Sequence, residues 1–346
     1  MPEPFTHILM TGAGAPGAAG IIKCLLQYPS IQLTVGDASP DATGRYINKD
    51  FVQLPNGDDP LFAGGLLQIC KERKIQLVMP LVSKELLPLS RNKKNFQDAG
   101  IRVMVSSPES IEIADNKSTS YSFLKEKGIN VPRFFIVHTT EEFIHAAFEL
   151  GHPASPVCFK PSVSNGSRGF RIVTDSLDEA DQLFNHKPYN VHITYAHALN
   201  ILSSKNFPQL LVTEYLPGKE YSVDCICDHG KPVLVVPRVR EKMINGISVK
   251  GVFEKNEKVI EYCKKIINAI GLHGNIGIQV KYSDGGEPLL VEINPRVQGT
   301  IVAGLGAGVN LPLLALRQEL GQTLDNKEMQ VAWGTRFSRH WTEIFY

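Results

Sequence analysis

No apolar run in this chain approaches the roughly 20 residues that cross a bilayer. The N-terminus also lacks a basic segment leading into an apolar core and a cleavage site, so the chain is expected to be cytoplasmic, with no membrane partner. Surplus charge is missing too: Lys plus Arg number 36 against 35 Asp plus Glu. That balance gives no long-range field for nucleic acid, and any functional cation has to act locally. Cysteine is sparse, with six residues scattered through apolar segments. Cys225 and Cys227, the one close pair, lack the C-x-x-C spacing of zinc and redox sites, so all six are expected to be buried free thiols. His186, His192 and His197 show no ligand spacing and read as surface residues. No glycine-rich loop ends in Gly-Lys-Ser or Gly-Lys-Thr, which excludes a Walker A loop.

What is present fits an ordinary globular protein, 43% hydrophobic and 21% charged over 346 residues, enough for two or three domains. Residues 7–10 form a short apolar strand, followed by a turn containing Gly12, Gly14 and Gly17 and a helical run at 21–28. A second strand at 31–35 leads to Asp37. This is the opening of a βαβ unit, and its glycine spacing is that of a dinucleotide-binding fold. A helix at 61–71, a strand at 77–80, a helix after Ser83 and a strand at 102–105 continue an open parallel sheet with helices on both faces. Ser106-Ser107-Pro108 marks a boundary near residue 110.

Lys117 stands at the start of the next helix, where a cation opposes the helix dipole, so an anionic partner is one reading and a solvated lysine the other. A strand at 157–160 ends in Lys160 and runs into Ser162-Val163-Ser164-Asn165-Gly166-Ser167-Arg168-Gly169. Backbone amides of such a loop can fold over phosphate oxygens while Lys160 adds a point charge, although plain hairpin loops share this composition. Further on, Glu214 and Glu220 flank Leu216-Pro217-Gly218, read as a turn joining two strands. Arg238, Arg240 and Lys242 alternate along one strand face. The first two are candidates for an acidic substrate, with a solvated basic edge as the alternative. Residues 257–270 carry apolar side chains at helical spacing, capped by Gly271.

The chain is organised around the stretch that follows. Ile276, Ile278 and Val280 alternate with Gly277, Gln279 and Lys281, and beyond Asp284-Gly285-Gly286 a second strand runs over 289–293. Pairing across that turn brings Gln279 near Glu292 and Asn294. One carboxylate and two amide oxygens suit a hard cation such as Mg²⁺ that is shared with substrate phosphates, and Arg296, after Pro295, offers a fixed fork for a phosphate or carboxylate. By itself the stretch reads equally as an ordinary hairpin.

With both lysines, the glycine loop, the Glu214/Glu220 pair and Gln279/Glu292/Asn294/Arg296 in this order, the sequence resembles the ATP-grasp superfamily. It is most similar to single-module relatives of the carbamoyl-phosphate synthetase large subunit, over residues 5 to about 320. The resemblance implies an α/β and α+β architecture. A doubly wound parallel-sheet pre-ATP-grasp domain at 1–110 would precede a small ATP-grasp subdomain at 111–212 and a large one at 213–346. It implies ATP between the two subdomains, with Lys117 and Lys160 on its phosphates and the loop Ser164, Asn165, Gly166, Ser167 and Gly169 over the γ-phosphate. Glu214 and the Leu216 backbone would meet adenine, and Glu220 the ribose. Gln279, Glu292 and Asn294 would hold Mg²⁺, two ions with Mn²⁺ as a substitute. Arg296 and Lys160 would serve the transfer, and the turn at Gly14 would face the second substrate.

The implied activity is a ligase that turns a small carboxylate into an acyl phosphate for an amine, ammonia or thiol. Two features depart from the synthetase pattern or from its relatives: Gln279 replaces the acidic metal ligand of many relatives, and one module stands where the full synthetase subunit has two. Complete carbamoyl-phosphate synthesis is therefore not expected. An NAD(P)-dependent oxidoreductase using Gly12 to Asp37 and a nucleotide-binding protein without turnover are the alternatives. The aromatic tail at 331–346 is read as strand-like, packed on its own domain, with a homodimer contact as the other option.

Overall fold

Thr6–Met10 forms β1, the centre of a parallel sheet whose other strands are β2 (Ile31–Asp37), β3 (Phe51–Gln53), β4 (Leu77–Met79) and β5 (Arg102–Val103). A computed structural model describes residues 6–164, 166, 168–186 and 191–346. The strand order is β3-β2-β1-β4-β5, so the chain leaves β1 first toward one edge and then toward the other. β1 and β4 therefore flank the topological switch point, and the crevice beyond their carboxyl ends is where ligands bind in open sheets of this kind. Both faces are covered, which is why these strands read as continuous apolar runs. Leu9, Val78, Phe62, Leu66 and Leu86 fill one face. On the other, Ile8, Met10, Ile21 and Ile22 pack with Ile301, Leu311 and Leu314 from near the opposite end of the chain.

A second sheet holds β6 (Phe134–Val137), β7 (Val157–Pro161), β8 (Arg171–Val173), β9 (His192–Ile193) and β10 (Leu210–Glu214), in the order β6-β10-β7-β8-β9. The third comprises β11 (Glu220–Asp228), β12 (Lys231–Ile244), β13 (Ile247–Phe253), β14 (Gly274–Tyr282), β15 (Pro288–Asn294) and β16 (Arg336–Ser338). Its order is β15-β14-β11-β12-β13-β16. The helix Glu257–Ile270 lies on it through Val259, Ile260, Cys263, Ile266 and Ile267. Asn256 caps that helix, accepting from the Val259 amide at 3.2 Å, and Gly271 ends it at φ 77°, a left-handed position that glycine takes without strain.

The segment with Pro217-Gly218 joins two strands as expected, but they lie in different sheets: β10 belongs to the second and β11 to the third, so residues 215–219 pass from one to the other. One expectation needs correction. The tail is strand over Arg336–Ser338 alone, pairing with β13 and setting Phe337 against Phe253. Beyond it Trp341 and Phe345 are exposed, and Tyr346 stacks on Tyr46 with ring centroids 3.6 Å apart. All six cysteines are buried free thiols.

Candidate active site

β14 and β15 pair in the register that places Gln279 opposite Glu292 and Gly277 opposite Asn294. Gln279 Nε2 donates to Glu292 Oε1 at 2.7 Å, and Asn294 Nδ2 donates to the same oxygen at 3.1 Å. β11 lies alongside β14 and brings in Glu220, whose Oε1 accepts from Arg240 Nη1 at 2.7 Å. The same nitrogen reaches Gln279 Oε1 at 2.8 Å, so Arg240 stands inside this cluster rather than on an open basic face. Arg238 is 0% exposed, bound to Asp224 Oδ2 at 2.7 Å and Thr300 Oγ1 at 2.8 Å. The cationic face expected of Arg238 is thus interior, because β13, β16 and the segment at Thr300 close over it; what carries charge outward is not this residue.

The two lysines approach the hairpin from the other side. Lys117 is the first residue of the helix Lys117–Glu126, whose cap Asn116 accepts from the Thr119 amide at 3.1 Å. Its buried ammonium donates to Ser164 O at 2.7 Å and stands 3.9 Å from Glu292 Oε2. Lys160, on β7, crosses from the second sheet to donate to Val291 O of β15 at 2.7 Å, over the ring of Tyr121. Burial pushes Lys160 down to about 8, and Lys117 adds to the fall while Glu292 opposes it. Arg296 leaves β15 to donate through Nε to Ser83 Oγ at 3.1 Å and through Nη1 to Val297 O at 3.0 Å. Three cations from separate elements therefore gather at Glu292, a setting suited to an incoming polyanion.

Lys117, Lys160, Ser164, Glu220, Gln279, Glu292, Asn294 and Arg296 thus converge. In the glycine loop Ser164 Oγ donates to Pro161 O at 3.4 Å, and Gly166 and Gly169 take φ of 64° and 75°. Asn165 and Ser167 lie outside the described residues. Glu214 is held apart, accepting from the Arg133 amide at 2.8 Å and Arg133 Nε at 3.0 Å, and Leu216 is buried beside it in the connection to β11. Gly14 donates its amide to Asp37 Oδ2 at 2.7 Å. Three residues without any motif also meet the cluster or its edge: Ser83 and Arg133 by the bonds above, and Asp115 by its charge toward Lys117, Arg296 and Glu292. Burial holds the Asp115 carboxyl above its ordinary range.

Residues 206–342 match the family model described as ATP-grasp in the biosynthetic pathway with Ter operon, and residues 8–104 match that of the PylC-like N-terminal domain. The fold is that of the ADP complex of N5-carboxyaminoimidazole ribonucleotide synthetase, with a TM-score of 0.71 over 95% of this chain and 80% of that one at 16% identity. Residues 206–342 are thus an ATP-grasp domain. A second structure of the same fold is the biotin carboxylase domain of 2-oxoglutarate carboxylase from Hydrogenobacter thermophilus, with a TM-score of 0.67 over 96% of this chain and 74% of that one at 18% identity. Among curated relatives, the carbamoyl phosphate synthase large chain of Lachnoclostridium phytofermentans is 28% identical over 254 residues, 69% of this chain. The match spans about a fifth, 21%, of that relative's length.

The ATP-grasp match over residues 206–342 makes a site for ATP and Mg²⁺ the one to look for here. The residues present fit such a metal. Glu292 and the amide oxygens of Gln279 and Asn294 make the oxygen-only donor set that Mg²⁺ takes; here both amides donate to Glu292 and Gln279 Oε1 accepts from Arg240, contacts that a bound metal would replace. Gly17 packs on the main chain of Gly299, where a Cβ would come within 2.2 Å of Gly299 Cα, so packing by itself accounts for this glycine of the turn.

Proposed function

We propose that the chain is an ATP- and Mg²⁺-dependent ligase that activates a small carboxylate as an acyl phosphate for attack by an amine, ammonia or thiol. The observation that carries this reading is the meeting of Lys117, Lys160 and Arg296, from three separate elements, around Glu292. Phosphoryl transfer of this kind needs charge neutralisation and positioning rather than a protein nucleophile, and a group of buried cations beside a carboxylate supplies both. In this reading Lys117 and Lys160 hold phosphate oxygens and the loop from Ser164 to Gly169, Asn165 and Ser167 included, closes over them. Glu214 and the Leu216 backbone take the adenine edge, and Glu220 the ribose. Glu292 with the oxygens of Gln279 and Asn294 would hold Mg²⁺, two ions, which supply charge neutralisation at the phosphates. Arg296 then faces the transferring group. Arg240, bridging Glu220 and Gln279, positions the ribose and metal ligands together rather than meeting the carboxylate directly. We also propose divisions near residues 110 and 212, each close to where one sheet gives way to the next.

Thermal unfolding with MgATP, MgADP, NADH and NADPH tests this directly. A ligand at ~100 times its Kd adds about 2.7 kcal/mol to stability, so a nucleotide that binds here is readily seen. MgATP and MgADP are expected to stabilise the chain and to lose that effect in Glu292→Ala. Stabilisation by NADH or NADPH alone would return the function to the N-terminal glycine turn. Screening carboxylate and amine pairs for ADP release then identifies the substrates.

A further inference from the structure

A second cluster of metal-ligating side chains lies where the turn from β11 to β12 meets the start of β14. Asp228 ends β11, His229 and Gly230 form the turn, and His273 directly precedes β14. His229 takes φ of 44° and Gly230 φ of 86°, a tight left-handed turn that lays the His229 ring on that of His273, with centroids 4.0 Å apart and planes 9° from parallel. Asp228 Oδ1 lies 3.7 Å from His273 Nδ1. One donor atom from each of Asp228, His229 and His273 stands within 4.8 Å of the other two. Donors about 2.1 Å from a tetrahedral metal stand about 3.4 Å apart, so closing the site takes a shift of roughly an ångström and a tilt of the exposed His229 ring out of its stack.

The hydrogen bonds around His273 hold its ring in the form that ligates metals. Nε2 donates to Glu319 Oε2 at 2.6 Å, and Nδ1 accepts from the His229 amide at a long 3.3 Å. This network assigns the proton to Nε2 and the lone pair to Nδ1, the nitrogen that faces Asp228. A carboxylate behind one ring nitrogen and a lone pair on the other is the outer-shell arrangement of metal-bound histidines; it fixes the ring's orientation and raises its basicity. Both partners are enclosed, the His273 side chain at 5% exposure and that of Glu319 at 11%. Partial burial, with the charges of His273 and Lys93, holds the His229 imidazole below its ordinary range, so this ring is neutral at pH 7 and able to ligate. The ligase reading uses none of these residues, and β14 carries the chain about 20 Å from His273 to Gln279.

We infer that Asp228, His229 and His273 bind one divalent transition-metal ion, Zn²⁺ by the chemistry of the donors, with Glu319 behind His273 and water in the fourth position. Two imidazole nitrogens and one carboxylate oxygen favour zinc over magnesium, which takes oxygen alone. The ion joins the turn between β11 and β12 to the start of β14 and, through Glu319, to the end of the helix Leu311–Glu319. This corner already meets the N-terminal unit: the His273 amide donates to Ser106 Oγ at 2.9 Å, its carbonyl accepts from the same hydroxyl at 3.1 Å, and Arg102 bonds the Glu319 carbonyl. Metal bound here therefore stabilises the junction of the first and third sheets.

The test titrates Co²⁺, whose visible d–d absorption reports tetrahedral coordination, into the metal-free full-length protein and then displaces it with Zn²⁺. Saturation at one equivalent is expected, with intense d–d bands that Zn²⁺ abolishes and excess Mg²⁺ leaves in place, and Zn²⁺ should raise the unfolding temperature. His229→Asn keeps a residue at ease with positive φ, so the metal-free variant should unfold as the unaltered protein does while binding Co²⁺ at least about tenfold more weakly. Glu319→Gln leaves all three ligands and should weaken binding about 10- to 100-fold. Glu292→Ala should bind Co²⁺ unchanged, which separates this site from the one proposed for Mg²⁺. No saturable binding, a weak octahedral spectrum, thiolate-to-cobalt charge-transfer bands, or d–d bands that survive in His229→Asn or vanish in Glu292→Ala would each overturn the site. The ligase reading does not depend on that result.

Discussion

At the scale of single residues, the proposed nucleotide role of Lys160 predicts a coupling of binding to pH. Its folded value of about 8 lies below the usual 10.5, with burial as the main cause. The folded chain therefore binds fewer protons here than the unfolded chain between pH 8 and 10.5, so stability withheld by this group below pH 8 is recovered as pH rises through that window. A polyphosphate beside the ammonium has the opposite pull and favours the charged form. MgATP binding at pH 8 is thus expected to take up as much as ~0.5 proton at this site, and less at pH 6.5, where the lysine is already charged. Calorimetry in two buffers of different ionisation enthalpy measures that uptake. Lys160→Met should abolish it and weaken binding, and an uptake that persists in the variant would assign the proton to another group.

At the scale of elements, the connection from β10 to β11 decides how the second and third sheets meet. Gly218 donates to Tyr282 O at 3.0 Å, and Tyr282 donates back to Lys219 O at 3.1 Å, which pins the connection to the end of β14. A Cβ on Gly218 would lie 2.6 Å from Tyr282 Cβ and 2.7 Å from its carbonyl oxygen. Gly218→Ala must push the segment away, at a cost of about 1–3 kcal/mol. Because Glu214, Leu216 and Glu220 sit at or near its ends, MgATP affinity should fall about tenfold, measured by calorimetry; an unchanged Kd would remove this segment from the nucleotide site. The same region shows what the sequence can and cannot convey. The β14–β15 hairpin and the helix Glu257–Ile270 are legible because period-2 and period-3.6 patterns, an Asp-Gly-Gly turn and a glycine stop are all local. The separation of β10 from β11 is not, since strand partners are chosen across long sequence separations. For the same reason no pattern announces that Arg238 is enclosed, or that Ser83 meets Arg296 across 213 residues.

At the scale of the whole molecule, the N-terminal sheet and the segment after Arg296 form one packed unit. Ile8, Ile21 and Ile22 share a core with Ile301, Leu311 and Leu314, and Gly17 meets Gly299 with no room for a side chain on Gly17. This seam fixes where the strand carrying Glu292 and Asn294 ends relative to the β1–β4 crevice. Gly17→Ala places a methyl 2.2 Å from Gly299 Cα and 2.6 Å from its carbonyl oxygen, and because both are backbone the seam itself has to open. The expected outcome is a loss of about 1–3 kcal/mol in unfolding free energy together with a weaker MgATP-dependent gain in stability, both read from denaturant titrations with and without nucleotide. A dinucleotide site would respond instead at Gly14, the glycine whose backbone would approach a pyrophosphate, and Gly14→Ala would lose NADH binding. A stable Gly17→Ala protein with an unaltered MgATP response would overturn the role given to the seam.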